Sequence, residues 1–118
     1  MKIKIRKVDS VAILDLSGNL MGGPDADVFR DTIKKLIEEG YKNVLVNMAN
    51  VPWVNSTGLG ILIAGYTTLK REGGTLKLTH VTDRIESILM ITKLGTIFET
   101  YSSEEEALKS FQKESGSK

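Results

Sequence analysis

The order of strand-like and helix-like segments constrains the fold of this chain more than any other feature of its sequence. Two segments with alternating apolar residues, at 3–8 and 11–16, flank Asp9-Ser10 and are predicted to pair as a hairpin. Helical and extended patterns then alternate to the C-terminus. Because such alternation joins parallel strands by helical crossovers, the sequence predicts an α/β fold with a mixed, mostly parallel five-stranded sheet, an antiparallel N-terminal hairpin and about four helices.

Three local patterns mark particular elements of this fold. The continuous apolar run at residues 44–46 predicts a central strand that is covered on both faces. Ser56 is predicted to cap the second helix, since a serine hydroxyl can accept one of the N–H groups that lack a partner there. Ile97, Phe98 and Tyr101 are predicted to form the short fifth strand.

The length and composition of the chain fit one domain. It has 118 residues, 41% of them hydrophobic and 26% charged, which is ordinary for a globular protein that can bury a core without disulfides or metals. The absence of cysteine excludes disulfides and thiolate chemistry. We predict a single domain at residues 1–113 and a polar, disordered tail at residues 114–118.

Charge and hydrophobic patterning restrict the partners. Sixteen Lys and Arg residues balance fifteen Asp and Glu residues, so the chain lacks the basic excess that nucleic-acid binding requires. The N-terminus interleaves charged with apolar residues, unlike a signal peptide, and no segment approaches the ~20 apolar residues that span a bilayer. We therefore expect a cytoplasmic protein that binds neither nucleic acid nor membrane.

Residues 51–60, Val-Pro-Trp-Val-Asn-Ser-Thr-Gly-Leu-Gly, connect the predicted central strand to the second helix. Loops at the carboxyl ends of parallel strands are where functional groups collect. A phosphate on Ser56 would face free N–H groups and the positive end of the helix dipole, and would add about −1.5 to −2 of charge to a surface. Most serines at helix starts serve only as caps, so both interpretations apply here. Thr57 is the second candidate, because its position inside the helix predicts lower exposure.

Three further residues of this segment each allow two interpretations. Gly58 and Gly60 either expose the backbone to a kinase or partner, or allow tight packing of the helix start against the sheet. Trp53 either packs under the loop or contacts a partner, since Trp is enriched in binding hot spots. Both interpretations stay open at each position.

The chain carries no arrangement of residues that is typical of a catalytic or metal site. His80 is the single histidine and belongs to a different segment from Ser56. Val54 stands where a hydrolase nucleophile elbow needs glycine, and Tyr66 stands where a phosphate-binding loop needs lysine. The possible ligand residues have no metal-ligand spacing. We predict a protein that is not an enzyme and that needs no cofactor or metal.

The run Asn55-Ser-Thr-Gly-Leu-Gly60 resembles the signature of anti-sigma factor antagonists in the STAS domain family (sulfate transporter and anti-sigma factor antagonist). The family pattern is Asp, Ser, Ser or Thr, then Gly-Leu-Gly, and the same order of elements covers nearly the whole chain. Asn55 departs from this pattern, because an amide replaces the usual carboxylate and its negative charge. The change lowers the repulsion of a nearby phosphate and weakens the match to what a kinase of the family recognises.

The resemblance implies a partner switch that regulates transcription. The unphosphorylated protein would bind an anti-sigma factor, which is also a serine kinase, and would thereby free a sigma factor. The kinase would phosphorylate Ser56 with its own ATP, and a phosphatase would remove the phosphate. The alternative is an unphosphorylated STAS scaffold subunit of a lipid-transport or stress-sensing assembly. The residues expected to contact the partner are Trp53, Asn55, Ser56, Thr57, Gly58, Leu59 and Gly60.

Overall fold

One mixed sheet with helices on both faces forms the protein, in a computed structural model that describes the backbone of residues 1–116 and the side chains of residues 1–112. The strands are β1 (Lys2–Val8), β2 (Val11–Ser17), β3 (Asn43–Asn50), β4 (Thr75–Thr79) and β5 (Thr100–Tyr101). The helices are α1 (Pro24–Glu38), α2 (Ser56–Arg71), α3 (Asp83–Ile91) and α4 (Glu104–Gly116), with a 3-10 turn at Leu94–Thr96. The sheet order is β1-β2-β3-β4-β5, with β1 and β2 antiparallel and the other neighbours parallel. The predicted fold class is confirmed.

Alternating side chains along β2 and β3 give the sheet two apolar faces. Leu14 and Val46 belong to the core that the sheet shares with α1, α2 and α3, while Ile13 and Leu45 belong to the core under α4. All four side chains are buried. Because β3 lies in the middle of the sheet and is covered on both sides, its apolar run is continuous, as the sequence predicted.

The fifth strand is shorter than predicted. It contains only Thr100 and Tyr101, while Ile97 and Phe98 precede it, directly after the 3-10 turn. Phe98 is buried and packs edge-to-face on Tyr66 of α2, with 5.6 Å between the ring centroids. The prediction of a strand at Ile97 and Phe98 was wrong, because Phe98 fills the core beside α2 instead of joining the ladder of the sheet.

Helix α4 continues past the predicted domain boundary at residue 113. Its backbone runs from Glu104 to Gly116, so residues 114–116 of the predicted tail continue the helix. Residues 117–118 of that tail lie outside the described residues. The limits of the domain itself stay a prediction.

A buried lysine attaches α4 to the sheet. Lys77 on β4 is 1% exposed, although it alternates with Leu76 and Leu78 as a solvent-facing residue of a strand would. Its ammonium donates to the Ser110 hydroxyl at 2.9 Å and lies 4.6 Å from the ring centroid of Phe111. The charged side chain of β4 therefore lies under α4 instead of facing solvent.

An ion-pair cluster joins the hairpin to α4. Arg6 Nε donates to Asp15 Oδ2 at 2.7 Å, and Arg6 Nη2 donates to Glu104 Oε1 at 2.6 Å. The side-chain amide of Asn47 also donates to Asp15 Oδ1, at 2.8 Å. The hydrogen bond from Arg6, with a smaller one from Asn47, holds the pKa of Asp15 below its usual range and outweighs the opposite effect of partial burial.

We expect this cluster to stabilise the fold less in acid. Because the pKa of Asp15 is lower in the folded protein than in the unfolded chain, its contribution to the free energy of unfolding is complete above about pH 4 and disappears as the pH falls through the folded pKa. Asp15→Asn should reduce the acid-induced loss in the free energy of unfolding. The reduction should be only roughly 0.5 kcal/mol, because solvent screens the exposed part of Arg6. Urea unfolding between pH 2 and pH 6 measures this difference.

Glu39→Gln provides the control for this measurement. Glu39 accepts a hydrogen bond from Lys7 at 2.9 Å, and the pKa of Glu39 is also lowered by that bond. Both groups are exposed, so water weakens their interaction and the variant should change the acid slope less than Asp15→Asn does. Identical slopes for the Asp15 variant and the unsubstituted protein would contradict the assignment.

Candidate functional site

The start of α2 lies at the carboxyl edge of the sheet, beside a second loop. Residues 51–55 lead from β3 to α2, and residues 18–23 lead from β2 to α1. The two loops pair, because Leu20 forms a parallel bridge with Val54 and the Leu20 N–H donates to the Trp53 carbonyl at 3.0 Å. The neighbouring loop therefore fixes the position of the first turn of α2.

Asn55, and not Ser56, is the N-cap of α2. Asn55 has an extended backbone, with φ −98° and ψ −177°, and its Oδ1 accepts the Gly58 N–H at 2.8 Å. Ser56 is the first helical residue, so the prediction that Ser56 caps the helix was wrong. Asparagine and serine are about equally good caps, and two of them stand side by side here, so propensity alone could not decide between them.

Ser56 is exposed, and its hydroxyl makes no hydrogen bond with any of the described residues. Its backbone N–H and that of Thr57 precede the intrahelical ladder, which begins with Leu59 N–H to Asn55 carbonyl at 2.9 Å. Thr57 is exposed as well, so overall burial does not separate the two hydroxyl residues as the sequence predicted. They differ in packing, since a Cβ on Gly22 would lie 2.6 Å from Thr57 Cγ2.

The two glycines of the segment have different roles. Gly58 is buried, and a Cβ there would overlap the Leu20 carbonyl oxygen and lie 2.8 Å from the carbonyl carbon. Gly60 is exposed, and a Cβ there would meet nothing within 4 Å. Tight packing therefore requires glycine at position 58, whereas no contact with the described residues requires it at position 60.

The remaining predicted contact residues divide between surface and interior. Trp53 is 37% exposed, and the Arg84 guanidinium lies 5.4 Å from its ring centroid. Asn55 is partly buried. Leu59 is 4% exposed and belongs to the core, so it can support the site but cannot offer its side chain to a partner.

Residues 2–107 match the family profile of the STAS domain. The chain belongs to the STAS domain family. It is 31% identical over 88 residues to the anti-sigma-B factor antagonist of Bacillus subtilis, an alignment that covers 72% of this chain and 80% of the relative.

Solved structures share the fold of this STAS domain. A Thermotoga maritima protein described as an anti-sigma factor antagonist superposes with a TM-score of 0.85 at 22% identity, over 93% of this chain and 94% of that one. The Bacillus cell fate determinant SpoIIAA, in its phosphorylated form, superposes with a TM-score of 0.71 at 19% identity, over 92% and 98% of the two chains. At these identities the likeness establishes the fold.

Charge at the start of α2 differs from that at the other helix starts of this STAS domain. The first turn of α2 contains no acidic residue, whereas those of α1, α3 and α4 contain two or more. The positive end of the α2 dipole is therefore not balanced by a side chain of its own first turn. Added negative charge on Ser56 would be stabilised there and would meet no carboxylate within that turn.

A groove between α1 and α2 adjoins the site. It has a volume of about 660 Å³ and ends at Thr57 and Gly60. Its walls are mainly apolar, and the helices approach closely because a Cβ on Gly65 would lie 2.6 Å from Phe29 Cε2. A partner that covers Ser56 would meet this groove next to it.

Sequence reasoning missed the contribution of the β2–α1 loop. The Met21 carbonyl accepts a hydrogen bond from Asn55 Nδ2 at 3.1 Å, and the Met21 side chain is 44% exposed beside the site. The available signal was the pair Gly22-Gly23, which has positive φ at both residues and brings the loop against α2.

Two findings on the described residues concern metal binding and membrane spans. No group of three or more His, Asp or Glu side chains there could hold a metal ion. His80 directly follows β4 and has φ 55°. None of the helices in the described part of the chain is long and apolar enough to cross a membrane.

Proposed function

We propose that this STAS domain is a cytoplasmic anti-sigma factor antagonist, and that phosphorylation of Ser56 controls its binding to the anti-sigma factor. The unphosphorylated protein binds the anti-sigma factor and so frees a sigma factor for transcription. The observation that carries this proposal is the exposed Ser56 hydroxyl, which has no hydrogen bond to the described residues and stands at the first position of α2. The name of the Bacillus subtilis relative supports the same function.

The phosphoryl transfer needs a partner that is a kinase. Ser56 Oγ attacks the γ-phosphorus of ATP, the bond to the bridging oxygen breaks, ADP leaves, and the hydroxyl proton passes to a base of the kinase. This chain only presents the hydroxyl, so it is proposed to be a regulator and not an enzyme, and a separate phosphatase restores Ser56. SpoIIAA, which shares this fold, has been solved in a phosphorylated form, and this supports the proposal that a residue of this chain is phosphorylated.

The charge of the phosphate provides the physical basis of the switch. At Ser56 the dianion lies near the N–H groups of Ser56 and Thr57 and the positive end of the helix, so the folded protein tolerates it. A partner seated over the same point would have to bury that charge without a matching cation, which costs several kcal/mol. Phosphorylation therefore releases the partner without unfolding α2.

Mass spectrometry tests this function directly. The purified protein is incubated with Mg-ATP and an anti-sigma factor kinase from its own organism, and the site of any phosphate is then located. We expect phosphate mainly on Ser56, and only a small amount, on Thr57, in Ser56→Ala. A stable complex with no added phosphate would contradict the switch and would instead fit a docking scaffold.

A further inference from the structure

We infer that Asn55 is a positioning residue that directs phosphorylation to Ser56 and away from Thr57, by holding the β2–α1 loop against the Thr57 side chain. The inference rests on the proposed function, because it concerns the choice between two adjacent hydroxyls of one phosphorylation site. Both residues are exposed, so exposure alone does not make that choice. The difference has to come from what holds each side chain.

The Asn55 side-chain amide joins two segments, because it accepts a hydrogen bond from one and donates a hydrogen bond to the other. Its Oδ1 accepts the Gly58 N–H at 2.8 Å, and its Nδ2 donates to the Met21 carbonyl at 3.1 Å. Because one partner is a donor and the other an acceptor, only a side chain with both functions can make both bonds. The carboxylate that is usual in the family would keep the cap and would lose the bond to Met21.

The bond to Met21 adds to the backbone pairing of Leu20 in holding Gly22, the residue that follows. Gly22 is buried and has φ +105°, and a Cβ there would lie 2.6 Å from Thr57 Cγ2 and 3.3 Å from Thr57 Cβ. The backbone of Gly22 therefore packs on the methyl side of Thr57. A β-branched side chain has a stiff χ1, so seating its methyl group also fixes the direction of its hydroxyl.

Ser56 has no such restraint. It has no branching methyl group, and its hydroxyl makes no hydrogen bond with the described residues. Its Oγ can rotate to meet an incoming γ-phosphorus, whereas the Thr57 hydroxyl can rotate only if its methyl group leaves Gly22. The kinase consequently finds one adaptable acceptor and one fixed acceptor on neighbouring residues.

Two substitutions at Asn55 test this inference. They separate the effect of losing the hydrogen bond to Met21 from the effect of an added negative charge. Asn55→Asp and Asn55→Ser both keep a side chain that can cap α2, but only the first adds a negative charge. The carboxylate has no donor for Met21, and the single oxygen of serine cannot take the places of both Oδ1 and Nδ2. With the same kinase and Mg-ATP, we expect the ratio of Thr57 to Ser56 phosphorylation to rise roughly fivefold in both variants, the change that corresponds to one lost hydrogen bond. Quantitative phosphopeptide mass spectrometry measures the ratio.

Thr57→Ser is the matched control, because it removes the methyl group and leaves Asn55 intact. We expect phosphorylation at position 57 to rise in this variant too, since the fixed rotamer is lost. A ratio that stays constant in both Asn55 variants would overturn the inference while leaving the proposed function intact. A rise in Asn55→Asp alone would also overturn it, because the added charge would then be the cause.

A second measurement does not depend on the kinase. Three-bond NMR couplings to Thr57 Cγ2 should indicate one rotamer in the unsubstituted protein and averaged rotamers in Asn55→Asp and Asn55→Ser. A single unchanged rotamer in both variants would overturn the positioning role. Absence of phosphate from Ser56 of the unsubstituted protein would instead overturn the proposed function, and the two failures are therefore distinguishable.

Discussion

Gly58→Ala is expected to lower the free energy of unfolding by about 3 kcal/mol, which corresponds to a fall in Tm of roughly 10 °C for a chain of this size. The new Cβ would overlap the Leu20 carbonyl oxygen and lie 2.8 Å from the carbonyl carbon. Both atoms belong to backbone that is paired with the loop before α2, so neither can move without disturbing that pairing. Thermal and urea unfolding measure the change.

Gly60→Ala is the matched control, two residues further along the same helix. Its Cβ would meet nothing within 4 Å, so the substitution only replaces glycine by a better helix former. We expect the free energy of unfolding to rise by about 0.5–1 kcal/mol. The two alanines should therefore have effects of opposite sign, and equal effects would contradict the packing of Leu20 on Gly58.

Ser56→Asp is expected to weaken binding to the anti-sigma factor about 100-fold, because the partner would have to cover an unpaired charge. Ser56→Ala should bind within about threefold of the unsubstituted protein, since the serine hydroxyl makes no hydrogen bond with the described residues. It should also resist regulation by ATP. Isothermal titration calorimetry with the purified partner measures all three affinities.

Ser10→Asp adds the same charge at a distant point of the surface. Ser10 is an exposed residue of the β1–β2 turn, at the amino edge of β2, whereas α2 begins at the carboxyl edge of β3. This variant should bind the anti-sigma factor as the unsubstituted protein does. Equal affinity of Ser56→Asp and Ser10→Asp would show that charge at Ser56 has no particular effect and would remove the basis of the proposed switch.

Patterns of neighbouring residues were sufficient to predict the order of the elements. The alternation in the first 17 residues predicted an antiparallel hairpin, and the apolar run at 44–46 predicted a strand covered on both faces. The segment 55–60 also predicted the position of the candidate site, because it lies between a buried strand and a helix. These properties follow from periodicity and helix-start chemistry, which depend on residues close together in the chain.

Contacts between distant segments decided the details of the site. Asn55 caps α2 in place of Ser56, and its amide also bonds the Met21 carbonyl, 34 residues away in sequence. Gly58 had to be glycine because the Leu20 backbone passes over it, while Gly60 met no such neighbour. Nothing near either glycine in the sequence distinguishes them.

The same reason explains the positions of two side chains, Lys77 and Phe98, that local patterns do not indicate. Lys77 alternates with apolar residues as an exposed residue would, yet α4 covers it and Ser110 binds its ammonium. Phe98 has the apolar pattern of a strand residue, yet it packs against the Tyr66 ring in the core beside α2. The sequence by itself predicted the order of the helices and strands and which segment to propose as the site. Only the tertiary structure decided which side chains cap, pack or face solvent, because those roles depend on residues that the fold brings together from far apart in the chain.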